Sequence, residues 1–155
     1  MLDVLPGAGP ELSLSLAPLI RLDTVKVTGT RVFVSPETAE FESRRRSGFG
    51  RFLDQDDIAR RPGISTTDHL RTMPGMQVVR SRYGDAVMMR GANGSCVPAV
   101  FVDGLRVEAA NSQINELVPS HLLHAVEAYT SRILVPPQFQ TLNGCGSLVL
   151  WTKQR

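Results

Sequence analysis

A chain of 155 residues with 42% hydrophobic residues can build one compact domain with a real core, but it has no room for a second full domain. Its formal net charge of +2 is too small for a nucleic-acid-binding protein, which normally concentrates basic side chains on one face. No apolar run approaches the roughly 18 to 20 residues that a membrane-spanning helix needs.

The N-terminal part of the chain has the pattern of extended structure. Leu12, Leu14 and Leu16 alternate with polar residues, as in a half-buried strand. Because a lone strand is not stable, residues 1–21 are predicted to be an extension that belongs either to a preceding β-sandwich domain or to the edge of this domain. The segment Leu22–Val32 is rich in β-branched residues and is also predicted to be extended.

A run of charges follows, with three basic residues at Arg44–Arg46 and acidic residues at Asp54, Asp56 and Asp57. Alternating charge blocks are typical of a solvated segment, so the sequence predicts a linker here rather than a phosphate-binding site.

Two short helices are predicted next. Asp54 can cap the first helix, which the following proline–glycine pair ends. Ser65 or Thr66 can cap the second. Leu70 and Met73 lie three residues apart, so they share one face of that helix and should pack on a sheet.

A hairpin is the clearest local signal of the chain. Apolar residues of Ala99–Val107 flank an Asp103–Gly104 pair, which suits the positive φ angles of a type I′ turn. The hairpin contains no catalytic residues, so a functional inference from it depends on the order of the neighbouring elements.

The neighbouring elements follow a defined order. A short helix ends at a proline–glycine pair, a strand follows at Met76–Arg80, and a later strand ends in arginine–glycine. The landmarks are Leu70–Gly75, Arg90–Gly91, the Ala99–Val107 hairpin, the glutamate-bearing strand Val126–Tyr129 and the final Gly-rich strand Gly146–Lys153. This order resembles the plug domain of TonB-dependent outer-membrane receptors, over roughly Leu22 to Lys153.

The resemblance implies an α+β fold, with a small mixed β-sheet and short covering helices, over residues 33–155. It also implies that residues 22–32 resemble the TonB box, the peptide that the periplasmic domain of TonB captures by strand addition. The alternative is a plain first strand. The β-sandwich that could precede the domain would resemble a carboxypeptidase-regulatory-like domain. The box maps to Asp23, Thr24, Val25, Lys26, Val27 and Thr28.

By the same resemblance, the chain is not expected to be an enzyme. It would be the ligand-gated cork and TonB-coupling segment of an uptake receptor, on the periplasmic side of the outer membrane, with no cofactor. Its partners would be the periplasmic domain of TonB, a β-barrel outside this chain and a small-molecule substrate. The residues of the expected substrate-facing loops are Arg82, Tyr83, Asn93, Asn111, Gln113 and Asn115.

One departure from the family pattern bears on the barrel. Plugs usually carry two arginine–glycine pairs that engage acidic residues of the barrel wall. Arg90 is present as an expected barrel contact, but Thr130–Ser131 stand at the second position. No train of alternating segments follows Arg155, so a free-standing periplasmic interaction module without a barrel is the alternative.

Cys96 and Cys145 are the only cysteines. In a chain that resembles an exported protein, this even count predicts a disulfide, with free core thiols as the second reading. The third is a nucleophilic thiol served by His69, His121 or His124. A zinc site is not expected, because His121 and His124 have no third ligand nearby.

Overall fold

The computed structural model describes residues 36–61, 63–82, 84–91, 94–108, 113–142 and 144–153. The chain divides into two units, Met1–Phe33 and Val34–Arg155, and the described residues all belong to the second. The predicted N-terminal strand and the TonB-box-like segment therefore lie outside the described residues. Within the described part, no helix is long and apolar enough to cross a membrane.

Short helices and eight strands make up the described part of the domain. The helices are α1 (Pro36–Ser47), α2 (Gln55–Arg60), α3 (Thr66–Arg71) and α4 (Ile114–Leu117), with single 3₁₀ turns at Ser120–Leu122, Arg132–Leu134 and Pro137–Phe139. The strands are β1 (Arg51–Leu53), β2 (Met76–Ser81), β3 (Gly84–Gly91), β4 (Gly94–Cys96), β5 (Ala99–Val102), β6 (Leu105–Val107), β7 (Leu123–Tyr129) and β8 (Ser147–Thr152).

The described strands form two sheets. Sheet A has the order β1-β7-β8-β5-β6, so β8 lies at its centre, and sheet B has the order β2-β3-β4. Sheet A is mixed, because β5 runs parallel to β8 while the other pairs are antiparallel. The expected α+β class with a small mixed sheet and short helices is confirmed. The strands β2, β3 and β4 form a separate antiparallel sheet.

Two apolar clusters lie on opposite faces of sheet A. On β8, Leu148 and Leu150 belong to the first cluster, while Val149 and Trp151 belong to the second. Successive side chains of a strand point to opposite faces, so the clusters are separated by the sheet itself. The helix α3 packs Leu70 into the first cluster, as its sequence pattern predicts.

The two predicted helix starts are confirmed. Asp54 caps α2, where its Oδ1 accepts the N–H of Asp57 at 2.7 Å and its own N–H donates to Asp57 at 3.3 Å. Ser65, rather than Thr66, precedes α3, and its N–H donates to Asp68 Oδ2 at 2.9 Å. Both helices are thus fixed by acceptors that satisfy backbone N–H groups at the first turn.

The predicted hairpin turn is also confirmed, because Asp103 and Gly104 have φ angles of 49° and 81°. Asp103 has a further role. Its carboxylate accepts hydrogen bonds from the N–H and the hydroxyl of Thr152, both at 2.7 Å, so the turn is attached to the end of β8.

The prediction of a solvated linker around Arg44–Arg46 is wrong, since these residues end α1. Most of the described side chains of α1 are exposed, but Phe41 is buried in the second cluster and Arg44 reaches sheet A. Because α1 buries so few residues, its sequence lacks the apolar stripe from which an amphipathic helix is predicted.

Gly146, just before β8, offers a test of this packing. Its φ is +113°, and a Cβ there would lie 2.0 Å from the carbonyl oxygen of Tyr129. We expect Gly146→Ala to lower the free energy of unfolding by about 3 kcal/mol or more, because backbone strain and a backbone clash add. Urea unfolding measures this loss.

Gly144→Ala is the matched control, because Gly144 has a φ of +71° but open space around the added Cβ. It should lose only about 1–2 kcal/mol, which is the strain of a left-handed L-residue. Equal losses in the two variants would contradict the close approach of Gly146 to β7.

The cap of α3 predicts a pH dependence. Hydrogen bonds from Ser65 lower the pKa of the Asp68 carboxyl below 3.8. Because folding lowers this pKa, the carboxylate stabilises the fold above pH 3.8, and the contribution is lost as the pH falls through the folded value. In urea unfolding from about pH 5 to about pH 2.5, Asp68→Asn should remove a pH-dependent part of less than about 1 kcal/mol.

Asp56→Asn is the control for this experiment, since Asp56 is exposed and makes no side-chain bond within the described part. Its profile should match the wild type. A wild-type slope retained in Asp68→Asn would show that the cap carboxylate does not contribute.

Candidate functional site

A buried carboxylate lies in the middle of sheet A. Glu127, on β7, is fully buried on the face of the second cluster, and each of its oxygens accepts two hydrogen bonds. Oε1 accepts from Arg44 Nη2 at 2.8 Å and Trp151 Nε1 at 2.7 Å. Oε2 accepts from Arg44 Nε at 2.9 Å and Tyr129 Oη at 2.6 Å. The bidentate ion pair and two neutral donors satisfy the charge without water.

The guanidinium of Arg44 is enclosed as well as paired. Its Cζ lies 5.4 Å from the ring centroid of Phe139 and 5.7 Å from that of Trp151, within the range of cation–π contacts. Its Nη1 donates to Glu40 on α1 at 3.1 Å. We call the group Arg44, Glu127, Tyr129 and Trp151 the Glu127 cluster. It attaches α1 to the centre of sheet A.

Electrostatics act on the pKa of two members of this cluster, Arg44 and Tyr129. Burial lowers the pKa of Arg44, but hydrogen bonds and charge attraction from Glu127 outweigh it, so the net pKa lies above the ordinary value. Burial and the bond to Glu127 raise the pKa of the Tyr129 phenol. Arg44 therefore keeps its charge and Tyr129 its proton near neutral pH.

The predicted disulfide is present. Cys96 and Cys145 are joined with Sγ atoms 2.13 Å apart and Cα atoms 5.7 Å apart. The bond connects β4 of sheet B to the segment before β8 of sheet A. Since the chain has only these two cysteines, the readings as free thiols and as a nucleophile are wrong for this state.

The three histidines do not form a catalytic or metal site with the described residues. His69 is buried, and its Nε2 lies 3.1 Å from Ser120 Oγ, which donates to the Gly63 carbonyl at 3.1 Å. The hydroxyl proton of Ser120 is thus directed at the Gly63 carbonyl. Nε2 of His69 therefore carries a hydrogen and donates it to Ser120 Oγ, so His69 cannot act as the base for this serine. His121 is exposed in a 3₁₀ turn and His124 is half-buried on β7. No metal-binding group of three ligands occurs in the described part.

The predicted substrate-facing residues fall into two groups. Arg82 and Gln113 are exposed, whereas Asn115 is half-buried and bonds to Thr67 through both its amide oxygen and its amide nitrogen, at 3.0 and 3.1 Å. An Asn115 that bound a ligand would first have to leave Thr67. The other predicted loop residues, Tyr83, Asn93 and Asn111, lie outside the described residues.

Arg90 is exposed at the end of β3. Its backbone N–H donates to the Gly75 carbonyl at 2.9 Å, and its side chain makes no hydrogen bond or ion pair with the described residues. The register places Arg90 on the same face of sheet B as Val79, which lies opposite Ala86 and is 52% exposed. This outer face therefore carries an exposed apolar side chain and a cation that has no partner among the described residues.

Sequence reasoning missed the partners of Glu127. The signal that was available is a glutamate between Val126 and Ala128, since a charge in an apolar strand requires a partner. Nothing in the sequence indicates that this partner is Arg44, 83 residues away.

Comparison with known proteins defines the class. The family model described as "TonB-dependent Receptor Plug Domain" matches residues 51–132, which is more than half of the chain. The chain therefore belongs to the plug-domain family of TonB-dependent receptors. The predicted resemblance is confirmed. No curated protein matches the chain.

Solved structures show the same fold. The siderophore receptor PirA from Acinetobacter baumannii has a TM-score of 0.56 at 19% identity, over 79% of this chain and 19% of that one. A mutant of the ferric enterobactin receptor PfeA from Pseudomonas aeruginosa has a TM-score of 0.53 at 21% identity, over 73% of this chain and 18% of that one. P. aeruginosa FpvA, bound to heterologous pyoverdines, has a TM-score of 0.52 at 14% identity, over 68% of this chain and 14% of that one. This chain thus spans a fifth or less of each receptor.

The Glu127 cluster predicts a large effect of one arginine. Arg44→Ala leaves a buried carboxylate without its ionic partner, so we expect the free energy of unfolding to fall by about 3–5 kcal/mol. Arg45→Ala is the control, because Arg45 is 42% exposed and pairs with Glu42 and Asp54 at the surface. It should cost about 1 kcal/mol or less. Urea unfolding of the three proteins measures both values.

A second measurement separates charge from packing. Methylguanidinium at millimolar concentration should raise the thermal midpoint of Arg44→Ala, because the emptied space keeps Glu127, Trp151 and Phe139 as partners for a guanidinium. The wild type and Arg45→Ala should show no such rise. Equal responses of all three proteins would exclude a specific guanidinium site.

Proposed function

We propose that this domain is the ligand-gated plug of an outer-membrane uptake receptor and lies on the periplasmic side of that membrane. The observation that carries the proposal is the family match over residues 51–132. The Glu127 cluster supports it further, since a buried ion pair with all four hydrogen bonds made suits a structural connection between α1 and sheet A. The function is thus to block a path and to release it on a signal, without chemical change to the substrate.

The coupling part of the proposal concerns Asp23–Thr28. This segment pairs with the periplasmic domain of TonB by strand addition, in which main-chain hydrogen bonds give most of the affinity. It precedes α1 by a few residues, so a pull on it reaches α1 first. The described contacts of α1 with sheet A centre on Phe41 and Arg44, so α1 is the first element that such a pull releases.

The blocking part concerns the outer face of sheet B. Arg90 faces acidic residues of a barrel wall, and Val79 contacts the same wall. An exposed cation without a partner among the described residues, on the same face as an exposed apolar side chain, supports such a contact. The substrate is a small molecule that contacts the loops with Arg82, Tyr83, Asn93, Asn111, Gln113 and Asn115.

A second candidate function is a free-standing periplasmic interaction module. It is favoured by Thr130–Ser131 at the position where plugs usually carry their second arginine–glycine pair. In that case the outer face of sheet B would contact a protein other than a barrel, and Asp23–Thr28 would not bind TonB.

Titration calorimetry with the periplasmic domain of TonB tests the coupling. We expect the wild type to bind, Val25→Pro to abolish binding and Val25→Ala only to weaken it. Proline removes a backbone donor and fixes φ, which an added strand tolerates poorly, whereas alanine keeps the backbone intact. Val107→Ala, in β6 and far from the box in sequence, is a control that should bind like the wild type. Absence of binding by the wild type would favour the free-standing module.

A further inference from the structure

We propose that the open edge of β2 docks a second copy of this chain, with the two β2 strands paired antiparallel about Val78. The inference goes beyond the proposed function, because it concerns the chain outside a barrel, and its test does not involve TonB.

β2 is the longest open edge among the described strands. It has six residues and pairs only with β3, whereas the other edge strands, β1, β4 and β6, have three residues each. It contains no proline, and its register with β3 is unbroken from Met76 to Ser81. Proteins usually shorten, bend or cover such an edge, because its free backbone groups can pair with another strand. The described residues provide no such cover for β2.

The backbone groups that point out of this edge follow from the pairing with β3. The carbonyl of Gly75 accepts the N–H of Arg90 at 2.9 Å. Along an antiparallel pair, residues point their N–H and C=O groups alternately towards the partner strand and away from it. Met76, Val78 and Arg80 therefore point theirs away from β3. The backbone groups of Val78 and Arg80 have no hydrogen-bond partner on that side among the described residues.

A second copy matches these groups. When two β2 strands run antiparallel about Val78, the N–H of each Val78 meets the Val78 carbonyl of the other copy, and Arg80 lies opposite Met76. The N–H of Met76 is already used by the Met73 carbonyl at 3.2 Å, so Met76 offers only its acceptor. The free N–H of Arg80 in the other copy supplies the donor. The pairing thus makes one hydrogen bond in each direction at Val78 and one at each Met76–Arg80 pair.

Side chains and charges permit the same register. On the outer face, Gln77 of one copy lies opposite Val79 of the other, so the 52% exposed Val79 gains cover. Arg80, whose side chain is 87% exposed, is the only charged residue of β2. The two copies of Arg80 lie at opposite ends of the paired segment, roughly 13 Å apart, which exceeds the Debye length of about 8 Å at physiological salt. Their repulsion is therefore screened.

The pairing also closes on itself. A twofold contact uses the β2 edge of both copies, so the two sheets B become one continuous sheet whose outer edges are the short β4 strands. Contact along a single strand buries less area than a permanent interface, so we expect a reversible dimer with a Kd of about 10–500 µM rather than larger assemblies.

Sedimentation equilibrium of the full, oxidised chain tests the dimer. Between about 5 µM and about 1 mM, we expect the average mass to rise from 17.0 kDa towards twice that value. Val78→Pro should stay monomeric throughout, because proline removes a donor that points out of the edge and leaves the hydrogen bonds between β2 and β3 intact. Val78→Ala is the matched control, since it keeps the donor and should still dimerise.

Exchanged charges test the register, in case proline disturbs the strand. Gln77→Lys with Val79→Glu places opposite charges across the twofold axis and should tighten the dimer about twofold to tenfold. Gln77→Lys with Val79→Lys places like charges there and should weaken it by a similar factor.

Three results would overturn the inference: a wild type that stays monomeric at about 1 mM, a wild type that forms assemblies larger than a dimer, or equal association of the two charge variants. Hydrogen exchange of the Val78 amide gives a further readout. We expect this amide to exchange fast in dilute solution and more slowly as the concentration rises. Protection in the dilute monomer would show that another segment of the same chain covers the edge, which would also refute the pairing of two copies.

Discussion

The Glu127 carboxylate is satisfied only when four donors from three separate parts of the chain reach it. Tyr129 and Trp151 come from adjacent strands of sheet A, but the two Arg44 donors come from α1, outside the sheet. Because an unpaired buried charge costs several kcal/mol, the sheet cannot reach its full stability until α1 has docked. The position of an otherwise polar helix thus depends on one ion pair.

The disulfide makes a second connection of a different kind. The Glu127 cluster attaches α1 to one face of sheet A, and it can open and close again because it consists of hydrogen bonds and an ion pair. The Cys96–Cys145 bond connects sheet B to sheet A covalently and does not open without a reductant. The fold therefore combines one reversible attachment near the N-terminal end of the described part with one permanent attachment further along.

Few of the polar side chains inside the domain are available for chemistry. His69 and Ser120 use their bonds on each other and on Gly63, while Asn115 uses its amide on Thr67. Within the described part, no buried side-chain nitrogen or oxygen lacks a partner. The exposed Arg90 on sheet B differs, because its side chain makes no ion pair with the described residues.

The local elements and the family could be predicted from the sequence. Asp54 capped α2, Asp103–Gly104 formed the hairpin turn, and the order of these pieces indicated a plug, because caps, turns and strand periodicity are set by neighbours in sequence. Only the tertiary structure decided that the residues around Arg44 form a helix and that this arginine partners Glu127, 83 residues away. Long-range pairing leaves no local pattern, since a buried charge requires a partner but does not specify where in the chain that partner lies.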